Sequence, residues 1–105
     1  MLSDLIELIG LTERWSSTNP RDAEPLRVRG DALQKLDRQG DAVGAFADAV
    51  RLAPDDAAAW YGLVLAYASM GNLVESLRAQ SVLAGFDRDL VVRLHDAIER
   101  LGVLP

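Results

Sequence analysis

The chain is predicted to be all-α, made of paired helices that recur along the sequence and are flanked by one further helix at each end. Three observations predict this. Alanine, leucine, aspartate and arginine dominate, while aromatic residues make up only 6% and β-branched residues are sparse, a balance that favours helix over sheet. Apolar residues recur at three-to-four spacing through most of the sequence. Capping and breaking residues punctuate it at short intervals, with no convincing strand between them. A length of 105 residues suits one compact domain with a modest core.

Ser3 is placed to cap a first helix whose apolar residues Leu5, Leu8 and Ile9, joined by Leu2 and Ile6, follow the helical rhythm. That helix is expected to fade near Trp15, ahead of a loop formed by Ser16, Ser17, Thr18, Asn19 and Pro20. A second helix is expected over 23–36, with Pro25 tolerated in its first turn, and 37–40 reads as a turn. A third helix carries Ala42, Phe46, Ala49 and Val50 on one side and stops before Pro54. Asp55 or Asp56 caps a fourth, which runs to about Met70 and is ended by Gly71 and Asn72. A fifth spans 73–84. The last begins after Asp87, with Phe86 and Val91 at the spacing of a hydrophobic staple. Leu90, Leu94, Ala97, Ile98 and Leu101 then form one apolar stripe.

The chain also matches itself. Leu26 and Trp60 are 34 residues apart, as are Ala32 and Ala66, Leu33 and Tyr67, and Asp37 and Gly71; a period of this length marks stacked helical hairpins. Leu26, Gly30 and Leu33 give a large, a small and a large residue along the first helix of one hairpin. Ala42, Phe46, Ala49 and Pro54 follow on its second. This pattern resembles the tetratricopeptide repeat (TPR) family. The second unit matches at Trp60, Leu63, Tyr67 and Gly71, but Val64, Ser76, Gln80, Leu83 and Arg88 depart from the family pattern. Such departures suit a terminal unit that packs on a capping helix. The resemblance covers about 23–88 and implies two stacked TPR-like hairpins, an α-solenoid fragment. The single domain, 1–105, then divides into an N-terminal helix and loop (1–22), a first repeat (23–56), a degenerate second repeat (57–86) and a capping helix (87–105). In this reading Gly30, Ala42 and Ala49 are points of close helix approach, and Phe46 fills the gap between them. The capping helix covers the second hairpin, and the N-terminal helix packs on the first hairpin or lies in the groove. Small size, an N-terminal helix, degenerate repeats and an amphipathic last helix are also similar to the small TPR chaperones of bacterial type III secretion.

The resemblance further implies a concave groove lined by the first helix of each pair. By register it presents Glu24, Arg27, Asp31, Gln34 and Lys35 from the first unit, and Ala58, Tyr61, Leu65, Ala68 and Ser69 from the second. One half is charged and the other apolar. Between Ala57 and Phe86 the only charged residues are Glu75 and Arg78, so the face bearing Tyr61, Leu65 and Ala68 needs a cover beyond the chain's own core. The candidates are the N-terminal helix folded back, a second copy, or a partner's peptide or amphipathic helix. The expected function is protein binding in this groove, adaptor- or chaperone-like, with Arg27, Lys35, Tyr61 and Leu65 foremost as contacts and Trp60, Phe46 and Tyr67 structural. The alternative is a self-associating scaffold, a homodimer through the apolar groove or the N-terminal helix. The lysine, asparagine and arginine clamp by which some family members hold C-terminal carboxylates is missing, since Asp31 stands where asparagine is expected.

Several chemistries are set aside. The net charge of −5 and dispersed acids do not suit nucleic acid, which calls for a basic stripe. Arg27, Arg29, Lys35 and Arg38 interleave with Glu24, Asp31, Asp37 and Asp41 and read as a solvated face with helix-spaced pairs such as Asp31 and Lys35. The absence of cysteine removes disulfides, thiolate metal sites and cysteine nucleophiles. His95, alone of its kind, reads as a boundary residue of the last helix, and no metal or cofactor is expected. Asp55-Asp56 and Asp87-x-Asp89 sit at helix starts, where capping accounts for them. The run from Gly40 to Gly44 lacks the lysine and preceding strand of a phosphate loop, and Ser16 and Ser17 lack a glycine elbow. No enzyme is expected. No apolar run is long enough to span a bilayer, and the N-terminus has neither the basic start nor the cleavage site of a secretory signal, so the expected location is cytoplasmic.

Overall fold

Among the described residues, six helices follow one another with joints of three to five residues: α1 (Leu2–Thr18), α2 (Glu24–Lys35), α3 (Gln39–Leu52), α4 (Ala57–Ser69), α5 (Leu73–Ala84) and α6 (Arg88–Arg100). This computed structural model describes residues 2–100, apart from the side chain of His95, and holds no strand among them. The fold is all-α, as the composition and periodicity predict. Each helix packs on its successor: α1 on α2, α2 on α3, α3 on α4, α4 on α5, and α5 on α6. Two further pairings, α2 with α4 and α4 with α6, bring the even-numbered helices side by side. The expected cover of the second hairpin is therefore α6. The helix α1 packs on α2 and makes no packing contact with α4.

The 34-residue period is visible in the backbone. After α2, the N–H groups of Leu36, Asp37 and Arg38 donate to the carbonyls of Ala32, Gln34 and Leu33 at 3.1, 3.0 and 2.9 Å. After α4, those of Met70, Gly71 and Asn72 donate to Ala66, Ala68 and Tyr67 at 3.2, 2.9 and 2.9 Å, so every donor and acceptor is shifted by 34 positions. Both turns close on a left-handed residue, Asp37 at φ 59° and Gly71 at φ 76°, which lets the next N–H reach back five residues and satisfy a helix-end carbonyl. The residue that follows opens the next helix in each case. Asn72 accepts the N–H of Glu75 at 3.3 Å, whereas Arg38 offers no side-chain cap and instead pairs with Asp41 at 2.7 Å.

At the centre is Phe46, fully buried. A Cβ built on Gly30 would stand 2.7 Å from its ring, and one built on Gly62 would run into the ring as well. The ring tip therefore touches α2 and α4 where each has no side chain. Ala42 and Ala49, on the same helix, are fully buried too, in keeping with the expected close approach. The part played by Gly62 is not visible in the register, which assigned the small-residue position to Val64; Val64 is instead a fully buried core residue.

Three expectations are corrected. The loop expected at 16–20 is still helix through Thr18, because the Ser17 and Thr18 hydroxyls donate to the Glu13 and Arg14 carbonyls at 3.0 and 3.1 Å and satisfy their polarity within the helix. Ser3 is not a cap, since α1 has already begun at Leu2. Trp60 and Tyr67, expected to be structural, are half-buried and pack against the core, with Trp60 Nε1 donating to the Pro54 carbonyl at 2.8 Å. The staple residue Phe86 is 44% exposed, and Leu101 lies outside the described residues.

Two stability outcomes follow from the ring's position. Phe46→Ala should cost about 3–5 kcal/mol. Gly62→Ala should also destabilise, by on the order of 1–3 kcal/mol from overpacking, although alanine is the better helix former by about 1 kcal/mol. Urea denaturation followed by circular dichroism measures both.

A candidate binding groove between parallel helices

Two adjoining cavities lie along the side where α2, α4 and α6 meet. One, of about 540 Å³, is lined by Asp31, Ala57, Ala58, Tyr61, Leu90 and Arg93. The other, of about 220 Å³, is lined by Gln34, Gln39, Leu65, Ser69 and Ala97. On all three helices the residue numbers rise from the first cavity to the second, so the helices run parallel and form one groove. Its third wall, α6, was read from sequence only as a cap. Leu90, Arg93 and Ala97 are thus site residues that the sequence reading missed; the available signal was that α6 occupies the place of another first helix.

Tyr61 and Leu65, half-buried, line the two cavities as expected, and Ala58 and Ser69 join them. Ala68 does not, because it is fully buried and belongs to the core. Gln34 is engaged within the chain: its Nε2 donates to the Gly62 carbonyl at 2.9 Å, joining α2 to α4 beside the Phe46 contact. Arg27 is similarly committed. Its guanidinium lies 3.5 Å from both Glu24 and Asp31 and 3.9 Å from Asp56. Asp56, rather than Asp55, caps α4 by accepting the Ala59 N–H at 3.2 Å. Arg27 therefore links the start of α4 to α2, its charge matched by acids of the chain itself. Lys35 is exposed. Asp87 caps α6 by accepting the Leu90 N–H at 3.1 Å, so capping accounts for an acid of each pair noted in the sequence. The side chain of His95 lies outside the described residues.

Asp31, on the groove wall, has a displaced titration. Burial raises its pKa above the ordinary 3.8, the charges of Arg27 and Lys35 oppose the rise, and Asp56 adds to it. Ionised Asp31 is thus held in a partly desolvated place on the wall facing Tyr61. What this groove can do is bind: it offers aromatic and aliphatic surface from α4 and α6 with a carboxylate at one side. No helix among the described residues is long and apolar enough to cross a membrane. No protein-family model matches the chain, and no curated protein matches it at a significant level.

The sign of the Asp31 effect is testable. A carboxyl whose folded pKa exceeds its unfolded value penalises the folded state once pH rises past 3.8 and through the folded value. Below 3.8 the penalty is gone. Asp31→Asn should therefore gain stability relative to wild type on going from pH 3 to pH 7, as read from thermal melts at the two pH values; a constant difference would contradict the assignment.

Proposed function

We propose that the chain is a TPR-type interaction module which binds a peptide or amphipathic helix of another protein in the groove between α2, α4 and α6. The observation that carries this reading is the pair of adjoining cavities bordered by Tyr61, Leu65 and Leu90, an apolar concave surface of the kind that receives a helix or an extended segment. The recurrence of turn hydrogen bonds at 34 residues supports the family assignment on which the groove's role rests. Tyr61 and Leu65 are the principal contacts. Arg27 and Gln34, tied up by Asp56 and by the Gly62 carbonyl, brace the groove walls instead of meeting the ligand. Asp31 borders the bound segment and Lys35 its exposed edge. Recognition by burial and shape needs no cofactor or catalytic group, and an adaptor- or chaperone-like role in the cytoplasm fits it.

Affinity capture from the native cell extract tests the reading, comparing wild type with the double variant Tyr61→Asp plus Leu65→Asp. Both changed residues are only half-buried, so circular dichroism should find the variant folded. The wild type should retain a protein that the variant loses by about tenfold or more, since a buried unpaired charge costs more than 1.4 kcal/mol. Equal retention by both would refute the groove as the site.

A further inference from the structure

The charges beside the groove differ in sign from wall to wall. The helix α4 packs against both α2 and α6, which make no packing contact with each other, so α4 is the floor and the other two are walls. On the α2 side three carboxylates share one base. The Arg27 guanidinium lies 3.5 Å from Glu24 and from Asp31 and 3.9 Å from Asp56. A close charged pair stands at roughly 2.7–2.9 Å, so none of the three acids is fully answered. Lys35, one turn beyond Asp31, is exposed and forms no ion pair with them. That corner keeps a surplus of negative charge beside the cavity of about 540 Å³ that Asp31 lines. On the α6 side Arg93 lines the same cavity. It is exposed and pairs with no acid among the described residues.

We infer that the partner held in this groove is an amphipathic helix with a basic residue on the flank that meets α2 and an acidic residue on the flank that meets α6. The inference rests on the groove reading above and adds the chemistry of its ligand. Neighbouring helices pack about 8–10 Å apart, which sets α2 and α6 about 16–20 Å apart across α4. That width admits one helix of about 10–12 Å diameter. Its apolar stripe meets Tyr61 and Leu65, and in doing so it strips water from the charges on both walls. A charge that loses water without gaining a partner weakens binding. A ligand basic on both flanks answers the α2 corner and brings a like charge to Arg93. One acidic on both flanks answers Arg93 and crowds Glu24, Asp31 and Asp56. Opposite charges on the two flanks satisfy both walls, and each wrong arrangement is penalised at one of them. The second cavity, lined by Gln34, Gln39, Leu65, Ser69 and Ala97, carries no charge. The charged pair of the ligand therefore sits at the level of Tyr61, and the neighbouring turn of the helix is read by Leu65 alone.

Three synthetic helices of about 18 residues test the inference by fluorescence anisotropy against the full chain at about 0.15 M salt. All carry the same leucine stripe. One has lysine on one flank and glutamate on the other, one has lysine on both, and one has glutamate on both. The mixed peptide should bind about threefold or more tighter than either of the others. Arg93→Glu should reverse the order of the mixed and the doubly basic peptide. Asp31→Asn should weaken the mixed peptide and spare the doubly acidic one. Arg93 is exposed and Asp31 half-buried, and thermal melts confirm that both variants fold. Tyr61→Asp plus Leu65→Asp should abolish binding of all three peptides. Equal affinities, or a ranking that Arg93→Glu leaves unchanged, overturn the inference and leave the groove reading standing. Binding that survives the Tyr61 and Leu65 changes lies elsewhere on the chain and overturns both. If none of the peptides binds at up to about 100 µM, the inference fails, and capture from the cell extract still decides the groove reading.

Discussion

A phenyl ring meeting two missing side chains sets the distances in this molecule. Because Gly30 and Gly62 present bare backbone to Phe46, α2 and α4 close to a separation at which other bonds can form across them. At that separation Gln34 reaches the Gly62 carbonyl and Arg27 reaches Asp56. Both contacts are polar and modest, and neither could draw two helices together against the cost of ordering long side chains. The ring does the drawing, by burial and dispersion, and the polar contacts then fix the register. The width of the groove on the other side of α2 and α4 is a consequence of that spacing.

Local features of the chain were legible because local chemistry governs them. Asp56, Asp87 and Gly71 hold the cap and turn positions their side chains suit, and Gly30, Ala42 and Ala49 stand out by regular spacing. What stayed hidden depends on a neighbour far along the chain. Gly62 matters only because an aromatic residue of the preceding hairpin arrives opposite it, and no single-repeat pattern records that. Ala68 shares a helical face with Tyr61 and Leu65 by spacing alone, yet its small side chain is fully enclosed. The end of α1 was misplaced for a different reason. Serine and threonine signal a loop on average, but here their hydroxyls find carbonyls within the helix.

The charged residues show the same division between what spacing reveals and what contact decides. Helix spacing suggested Asp31 with Lys35, and the ion pair that forms is Asp31 with Arg27. Arg27 in turn is drawn toward the capping aspartate of the next hairpin, so a side chain expected to greet a ligand instead braces the wall of its site. In the binding role proposed above, specificity toward the apolar face of the ligand would rest on the shape offered by Tyr61, Leu65 and the α6 residues Leu90 and Ala97.

The matched turns at Asp37 and Gly71 also bear on how such a molecule can change in length. Each turn hands the chain from one helix to the next with the same three hydrogen bonds and the same left-handed step. A duplicated stretch beginning after one turn and ending after the other would therefore meet familiar geometry at both seams. Growth by a whole hairpin would leave both joints as they are, while a partial repeat inserted within a helix would throw the residues that follow it out of phase. The matched turns thus accommodate lengthening in steps of 34 residues.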